Sequence, residues 1–469
     1  MKAEKILNLN IDSLAFEGYG VGRANDFVYF VKGALPGDLV EARQLKKRKS
    51  YAFAGVKKVI EPSPNRVEPV CSYFGECGGC SLQNLDYKEQ IYWKTQFVKD
   101  ALKKFAGIDP EIVPEALPCS QQTEYRNKME FSFSAQRWLT KREVSQDNEI
   151  IDKNFALGLH TPENYLKVID INQCYIQNNY ANDILNFVRT EAKSEFIEAY
   201  NSQKNTGFLK NLIIRHSATN DNYLVIIITN EAKYDSDSQF ATDLVNLITK
   251  KFQKVIGTIW AINRSRSPVA RGEICLMKGE EYLYEKILEI KYRISPFSFF
   301  QTNSHQLNKF IGKILEIADL QANQIVWDLY CGAGSITLPA AKYVGNIYGF
   351  ELVQDSVIDA KFNAKLNKIE NTTFQQLDLH SKSIMNEFIK YPNPDVVILD
   401  PPRAGMHQNL VASLMQLEPK EIVYVSCNPA TQARDLNIMK EKYRIVSCQP
   451  VDMFPQTYHI ENIVKLMKY

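Results

Sequence analysis

From residue 291 to the C-terminus, short apolar runs alternate with stretches in which apolar residues recur every three or four positions. The runs are typical of buried strands, and the stretches between them are typical of helices. The predicted strands are 325–329, 346–350, 395–399 and 421–425, and the predicted helices are 336–342 and 356–367. Strands that alternate with helices predict a parallel sheet covered on both faces, which is an α/β fold of the doubly wound type.

Residues 5–60 show a different pattern, in which apolar and polar positions alternate within short segments. Turn signals separate these segments, among them Glu17-Gly18-Tyr19-Gly20 and Pro36-Gly37-Asp38. Short strands at this spacing predict a small closed β-barrel. Three prolines between residues 62 and 69 follow the barrel and predict a stiff linker.

The residues between these two regions mix helical and strand-like segments. Asp86 opens a helix that is predicted to run to Phe105. The segments 212–216 and 223–229 are joined by a polar turn and predict a hairpin, and residues 237–250 predict an amphipathic helix. We therefore expect three domains: a barrel over 1–60, an α+β central domain over 61–290 and an α/β domain over 291–469.

Composition places the chain among soluble globular proteins, since 45% of its residues are hydrophobic and 23% are charged. The longest apolar run, 224–229, is far shorter than the roughly 20 residues that span a bilayer. The N-terminus has no apolar run of the signal-peptide type, so we expect a cytoplasmic protein without a membrane anchor. In a reducing compartment the nine cysteines favour metal binding or catalysis over disulfides.

Positive charge is concentrated near the N-terminus, although the net charge of the chain is only +2. Residues 1–60 contain 11 Lys and Arg against 6 Asp and Glu, and residues 46–49 are all basic. Such a run alone is more often a solvated loop. Here Tyr51 and Phe53 follow it, and basic side chains beside aromatic rings are typical of a nucleic-acid surface.

A glycine-rich turn, Asp328-Leu-Tyr-Cys-Gly-Ala-Gly-Ser335, lies between a predicted strand and a predicted helix. Glycines there let the backbone approach a ligand at the carboxyl edge of the sheet. The turn lacks the third glycine of a dinucleotide fingerprint and the Gly-Lys-Ser/Thr of a phosphate-binding loop. Glu351 ends the next strand, where a carboxylate can accept both hydroxyls of a ribose. Asp378 follows a later strand and is predicted either to contact an adenine amino group or to cap a helix.

The predicted strands 395–399 and 421–425 are each followed by a loop that proline stiffens. Asp400-Pro-Pro-Arg403 resembles the loops of amine methyltransferases, but Arg403 replaces the aromatic ring that stacks on their base. Ser426-Cys427-Asn428-Pro429 places a cysteine at the carboxyl end of a strand, where a thiolate is available for chemistry. Methylation of an amine is one alternative activity for this chain. A second alternative is that the chain is a non-catalytic RNA-binding protein that retains an inactive methyltransferase fold.

Cys427 and Glu461 together suit the methylation of a ring carbon. C5 of uracil is too electron-poor to attack a methyl sulfonium, but addition of a thiolate to C6 converts the ring into an enolate that can. A base must then remove the C5 proton before elimination releases the thiol. Cys427 is the predicted nucleophile and Glu461 the predicted base, with His459 as the alternative base.

Three cysteines, Cys71, Cys77 and Cys80, lie in a glycine-rich segment with five and then two residues between them. Thiolates at this spacing can bind one metal centre if a fourth ligand arrives from elsewhere. Cys174 is the first candidate for that ligand and Cys119 the second. The spacing does not separate a zinc ion from a [4Fe–4S] cluster. It argues against a radical methylase, which needs three and then two intervening residues and an open iron.

Five motifs, in order along the chain, are similar to those of the RNA uracil-5-methyltransferase family: SPFSFFQTN from Ser295, DLYCGAG from Asp328, DPPRAG from Asp400, VSCNP from Val425, and DMFPQT from Asp452 with Glu461 after it. The resemblance implies S-adenosyl-L-methionine as methyl donor, Cys427 as nucleophile and Glu461 as general base. It also implies a set of donor-site residues. These are Gln301, Tyr330, Ser335, Glu351, Asp378 and Asp400.

The resemblance extends over nearly the whole chain. It implies that residues 1–60 are a TRAM domain, an OB-like barrel that binds RNA, and that residues 291–469 are a Rossmann-like class I methyltransferase domain. It further implies a [4Fe–4S] cluster with Cys174 as its fourth ligand, and a helix over 85–106 that packs on the catalytic domain. Bacterial relatives that have both barrel and cluster mostly modify 23S rRNA, which is the substrate we expect for a monomeric enzyme, with transfer RNA as the alternative.

Overall fold

The computed structural model describes residues 5–145, 152–162, 164–266 and 269–469. The N-terminal strands are β1 (Ile6–Ala15), β2 (Tyr19–Ala24), β3 (Phe27–Lys32), β4 (Leu39–Lys47) and β5 (Tyr51–Glu61). They close into a barrel in the order β1-β2-β3-β5-β4, which confirms the barrel predicted from the alternating pattern. Leu9, Val31 and Ala54 are among the residues that fill its interior. Residues 1–4 of the predicted barrel segment lie outside the described residues.

The first helix follows the cysteine-rich segment and begins as predicted. Asp86 caps α1 (Tyr87–Ala101), and its side chain accepts a hydrogen bond from Lys88 N at 2.9 Å. The helix continues as a π-helical turn, Leu102–Ala106, and ends where Gly107 adopts a φ angle of 65°. α1 packs against a helix and a strand of the C-terminal part of the chain.

The middle of the chain forms a mixed sheet of eight strands. They are β6 (Lys128–Ser134), β7 (Arg137–Trp138), β8 (Ala156–His160), β9 (Val168–Asp170), β10 (Leu209–Ser217), β11 (Asn222–Thr229), β12 (Val255–Ile262) and β13 (Glu273–Gly279). The helices of this part are α2 (Lys141–Ser145), α3 (Asn179–Ser194) and α4 (Asp235–Lys251). The strand order is β13-β12-β11-β10-β6-β8-β9-β7. β10 and β11 form the predicted hairpin, with Ile213 opposite Ile226.

A two-stranded hairpin, β14 (Leu283–Ile287) and β15 (Ile290–Ile294), leads into the C-terminal part. The strands there are β16 (Ile325–Leu329), β17 (Asn346–Glu351), β18 (Thr372–Gln376), β19 (Val396–Leu399), β20 (Glu421–Ser426), β21 (Tyr443–Val451) and β22 (Glu461–Lys468). The helices are α5 (Ser304–Ala318), α6 (Thr337–Ala340), α7 (Gln354–Leu366), α8 (Ile384–Phe388), α9 (Gln408–Leu417) and α10 (Pro429–Met439).

These seven strands form one sheet in the order β18-β17-β16-β19-β20-β22-β21. Five strands are parallel as predicted, whereas β22 is antiparallel to both β20 and β21. The loop 452–460 between β21 and β22 contains no crossover helix, so these two strands pair as a hairpin. The prediction of a parallel sheet is therefore correct for five strands and incomplete for the last two.

Both faces of this sheet are covered, as its continuous apolar strands require. In β16, Val326 belongs to one core cluster, while Trp327 and Leu329 belong to the cluster on the other face. α1 lies on the second face, against α10 and β21. Of the described helices, none combines the length and apolar character that a bilayer span requires.

Candidate active site

The carboxyl ends of β16, β17, β19 and β20 border one cavity of about 540 Å³. Small-molecule sites are typically about 300–1,000 Å³, and in open α/β sheets they lie at this edge. The cavity brings together all the donor-site and catalytic residues that the sequence predicts. They are Gln301, Tyr330, Ser335, Glu351, Asp378, Asp400, Cys427 and Glu461.

The glycine-rich turn after β16 bends the backbone around the cavity. Tyr330, Gly332 and Gly334 have φ angles of 67°, 55° and 87°, in the left-handed region that strains most residues other than glycine. A Cβ on Gly334 would lie 3.1 Å from Leu338 Cγ, so the turn packs closely on α6 there. A Cβ on Gly332 would meet nothing within 4 Å, so this part of the turn faces open space.

Glu351 holds the turn and borders the cavity at the same time. Its carboxylate accepts hydrogen bonds from Gly332 N at 3.0 Å and from Val353 N at 2.9 Å. Each oxygen keeps a further lone pair for a ligand hydroxyl. Asp378 follows β18 and accepts a hydrogen bond from His380 N at 2.9 Å. It therefore closes a turn and does not cap the next helix, α8, which removes the alternative role predicted for it.

The Tyr330 hydroxyl is the clearest sign that this cavity receives a polar ligand. It is buried and finds no hydrogen-bond partner in the part of the chain that the structure describes. Buried polar groups in folded proteins are almost always paired, either with the protein or with a bound molecule. Together with the open face of Gly332, this hydroxyl fits a ligand with polar edges, such as a nucleoside.

The loop that carries Gln301 is fixed by buried side chains of the central sheet and of the residue just before it. Asn127 donates to the Gln301 carbonyl at 2.9 Å. Arg215, only 3% exposed, donates to the carbonyls of Pro296 and Ser298. Sequence analysis missed this arginine because arginines on strands are normally expected at the surface. The central sheet thus shapes one wall of the cavity.

Cys427 lies between the end of β20 and the start of α10. Asn428 caps the helix, because its side chain accepts a hydrogen bond from Ala430 N at 3.1 Å. The positive end of a helix favours a thiolate. Burial acts in the opposite direction and, together with Glu461 and Asp400, raises the pKa of Cys427 to about 12. The thiolate therefore needs a compensating positive charge.

Glu461 begins β22, and Asp400 follows β19. Burial, with a contribution from Asp400, raises the pKa of Glu461 well above its usual value, whereas Arg403 acts to lower it. Burial also raises the pKa of Asp400 to about 7. Carboxyl groups with raised pKa values in one cavity are typical of proton-transfer sites. The ionised form of Glu461 is therefore a stronger base than an exposed glutamate, although burial disfavours that form.

His459 lies two residues before Glu461 and also borders the cavity. Burial and the positive charge of Arg403 lower the pKa of His459 to about 3. The ring is therefore neutral, and its Nε2 atom accepts a hydrogen bond from Arg403 Nη2 at 3.1 Å. A ring that is so hard to protonate is a weaker base than Glu461, which favours the glutamate for proton removal.

Helix α1 holds the loop 452–460 that leads to Glu461. Lys94 forms an ion pair of 2.6 Å with Asp452, and both side chains are fully buried. Gln90 and Gln456 exchange two hydrogen bonds, of 3.0 Å and 3.1 Å. Nothing in the sequence pattern distinguishes Lys94 from an exposed helical lysine, and sequence analysis missed it.

The segment after the cysteines also binds this loop. Ser81 N and Leu82 N both donate to the Gln456 carbonyl at 3.0 Å. The Ser81 hydroxyl accepts a hydrogen bond from Tyr458 N at 3.0 Å. Since Cys80 directly precedes Ser81, the cysteine segment and the loop before the candidate base are joined by short contacts.

A second cavity, of about 20 Å³, lies between the cysteine segment and the central sheet. Four cysteines line it: Cys71, Cys77, Cys80 and Cys174. Cys119, the other candidate fourth ligand, is not among its lining residues, and its thiol donates to the Gln121 carbonyl at 3.1 Å. Burial is the main cause that raises the pKa of both Cys77 and Cys80 to about 12. Thiolates here would need the positive charge of a metal centre.

The arrangement of the four sulfurs bears on the kind of metal. Among the described residues, no group of three or more His, Cys, Asp and Glu side chains is placed to hold a metal ion. In a [4Fe–4S] cluster each cysteine binds a different iron, so its sulfurs surround a volume and do not converge on a point. A tetrahedral zinc site requires such convergence. The four cysteines that line the cavity supply the thiol ligands that either kind of centre would use.

Comparisons with known proteins show which family this chain is similar to. The family model described as tRNA (uracil-5-)-methyltransferase matches residues 218–469. A Bacteroides thetaiotaomicron protein named as an uncharacterized RNA methyltransferase is 39% identical over 97% of this chain and 99% of its own length. The chain belongs to this uracil-5-methyltransferase family. A Chlorobaculum tepidum protein, also named as an uncharacterized RNA methyltransferase, is 38% identical over 95% of this chain and 91% of its own length.

Family membership makes this chain an RNA methyltransferase that uses S-adenosylmethionine, and it confirms the resemblance found in the five motifs. The crystal structure of Pyrococcus abyssi tRNA (uracil-54, C5)-methyltransferase in complex with S-adenosyl-L-homocysteine is similar along the whole chain. The TM-score is 0.73 and the identity 27%, over 98% of this chain and 100% of that one. The similarity to this solved structure therefore includes the barrel and the eight-stranded sheet as well as the seven-stranded sheet.

Proposed function

We propose that this enzyme methylates C5 of a uridine in RNA through a covalent bond between Cys427 and C6 of the base. The observation that carries this proposal is the meeting of Cys427 and Glu461 in the cavity that also holds the predicted donor site. Methylation of an amine needs no nucleophilic cysteine, whereas methylation of C5 needs both a nucleophile and a base. The uracil-5 family membership supports the same conclusion.

In the proposed reaction the Cys427 thiolate adds to C6, and the ring becomes nucleophilic at C5. S-adenosylmethionine supplies the methyl group that C5 accepts. Glu461 then takes the C5 proton, and elimination from C6 restores the ring and the thiolate. Glu461 passes its proton to solvent, so one proton is released for each methyl group transferred. The thiolate and the donor must reach opposite faces of the base, which requires a uridine flipped out of its RNA.

The donor-site roles are also part of this proposal. Glu351 accepts the ribose hydroxyls, and Asp378 contacts the adenine amino group. The unpaired Tyr330 hydroxyl and the open face of Gly332 support a nucleoside in this part of the cavity. The remaining donor contacts are assigned to Gln301, Ser335 and Asp400.

We further propose that the cysteine-lined cavity binds a [4Fe–4S] cluster with a structural or RNA-positioning role. Its ligands are the four lining residues: Cys71, Cys77, Cys80 and Cys174.

The barrel is proposed to be a TRAM-like RNA-binding domain, and residues 291–469 are proposed to be a Rossmann-like class I methyltransferase domain. On the barrel, the rings of Phe30 and Phe53 each contact Tyr51 edge to face, next to the basic run 46–49. Aromatic rings beside lysines suit single-stranded RNA.

For the substrate we propose 23S rRNA, because this chain has both the barrel and the cysteine spacing of the relatives that modify it. Transfer RNA is the second candidate. It is favoured by the structural similarity to an enzyme whose name specifies uracil 54 of tRNA. The enzyme is proposed to act as a monomer.

The test is to map 5-methyluridine in RNA from cells that lack the gene. We expect a site in 23S rRNA to lose its methyl group, and a plasmid with the wild-type gene to restore it. Cys427→Ala should not restore it, whereas Cys275→Ala, which changes an exposed cysteine, should. Loss confined to tRNA would select the second substrate. Restoration by Cys427→Ala, or unchanged 5-methyluridine in all RNA, would contradict the proposed function.

A further inference from the structure

The active-site cavity is rich in acidic groups. The carboxyl groups on its wall belong to Asp328, Glu351, Asp378, Asp400 and Glu461. Among the described lining residues, Arg403 is the one lysine or arginine. Negative neighbours disfavour a thiolate, and a nearby cation favours it. The ionisation of Cys427 therefore depends strongly on where the Arg403 guanidinium lies.

The backbone of Arg403 is tied to the first turn of α10. Its carbonyl accepts hydrogen bonds from Asn428 Nδ2 and from Thr431 Oγ1, both at 3.2 Å. Asn428 directly follows Cys427, so the arginine loop and the cysteine loop are joined next to the sulfur. These contacts fix the position of the Arg403 backbone, but they do not fix the position of its guanidinium group.

The guanidinium is held by His459. Arg403 Nη2 donates to His459 Nε2, and the imidazole contacts two aromatic rings. The centroid of its ring lies 4.1 Å from that of Tyr458 and 6.1 Å from that of Phe454. A neutral imidazole holds the guanidinium without cancelling its charge, whereas an aspartate or glutamate at position 459 would form an ion pair with it.

We propose that His459 is a positioning residue that holds the Arg403 guanidinium near the Cys427 sulfur with its positive charge intact, so that Arg403 stabilises the thiolate. The inference rests on the proposed function, in which Cys427 is the nucleophile. The charged groups that act on this thiol are Glu461, Asp400 and Arg403, and of these Arg403 alone lowers its pKa. His459 acts through Arg403 and does not itself take part in proton transfer.

The test measures how fast iodoacetamide alkylates Cys427 in the full-length protein between pH 6 and pH 9, without RNA or donor. Peptide mass spectrometry follows Cys427, and the exposed Cys275 serves as internal reference. Arg403→Met should slow alkylation about tenfold, which is the effect of one pKa unit on the thiolate fraction. His459→Phe keeps an aromatic ring beside Tyr458 and Phe454 but removes the Nε2 atom that accepts the hydrogen bond from Arg403. This variant should slow alkylation several-fold.

The double variant separates this role from a general effect on packing. If His459 acts through Arg403, Arg403→Met with His459→Phe should alkylate at the rate of Arg403→Met alone. His459→Gln, which retains an acceptor, should recover part of the wild-type rate. The control His305→Ala, on the exposed side of α5, should leave the rate unchanged.

The proposal is overturned if His459→Phe alkylates at the wild-type rate, or if the two substitutions slow the reaction additively. Donor binding checks that each variant is folded, and His459→Ala replaces His459→Phe if the larger ring abolishes donor binding. Alkylation needs neither RNA nor turnover. A failure of the proposed function, seen as methylation by Cys427→Ala, is therefore distinguishable from a failure of this inference.

Discussion

Cys427 and Glu461, the proposed nucleophile and base, lie in the same cavity, and burial opposes the charged form of both. Burial raises the pKa of the Cys427 thiol to about 12, and it raises the pKa of the Glu461 carboxyl well above its usual value. A buried carboxylate binds a proton more tightly than an exposed one, so Glu461 in its ionised form is a stronger base toward a proton on carbon. The same burial makes the thiolate costly, and the proposed role of the Arg403 guanidinium is to offset part of that cost.

Glu461→Gln should separate methyl transfer from proton removal. Glutamine keeps the shape of the side chain but not its basicity, so addition and methyl transfer proceed and elimination stops. The expected product is a denaturant-resistant complex of protein and RNA that carries label from the donor methyl group. Tritium release from C5 of labelled uridine should fall in parallel. Gel electrophoresis in denaturant measures the complex.

Glu441→Gln, an exposed substitution near the end of α10, should turn over normally and trap no RNA. A Glu461→Gln enzyme that turns over at nearly the wild-type rate would show that the base lies elsewhere. If the variant binds neither donor nor RNA, Glu461 is structural and the assignment of the base is wrong.

At the level of elements, the predicted strands of the seven-stranded sheet match β16, β17, β19 and β20 to within one residue at each end. Continuous apolar runs between turn residues mark buried parallel strands clearly. The conformation of the loop 452–460 could not be predicted in the same way. It is fixed by partners such as Lys94, which is 358 positions from Asp452 in the chain, and no local pattern carries that information.

Lys94→Met should destabilise the protein by about 3–5 kcal/mol, because it leaves the buried Asp452 carboxylate without its ion partner. Lys94→Met combined with Asp452→Asn removes both charges and should recover part of this loss. Urea unfolding followed by tryptophan fluorescence measures the difference. Lys88→Met, an exposed change on the same helix, should cost little. Equal stability of Lys94→Met and wild type would show that the pair does not hold the loop.

At the level of the whole molecule, the parts predicted from sequence meet at the loop 452–460. The barrel residue Phe16 contacts Tyr458 and also Phe97 of α1, with ring centroids 5.1 Å and 5.7 Å apart. The central part contributes Tyr125, whose hydroxyl donates to the Pro455 carbonyl at 2.9 Å. The sequence predicts the barrel, the cysteine segment and the catalytic sheet separately, but their junction depends on tertiary contacts that leave no periodic signal.

The contacts at this junction predict that the proposed cluster stabilises the loop 452–460. Metal analysis and amide exchange together test this prediction. Protein purified without oxygen should be brown and contain about four irons per chain, whereas one zinc without iron would contradict the assignment. Cys174→Ser should lose iron, and Cys119→Ser, outside the cavity, should keep it. Since Ser81 joins the cysteine segment to Gln456, loss of iron should speed amide exchange in 452–460 while donor binding persists. Unchanged exchange in an iron-free Cys174→Ser variant would show that the cluster does not support the loop 452–460.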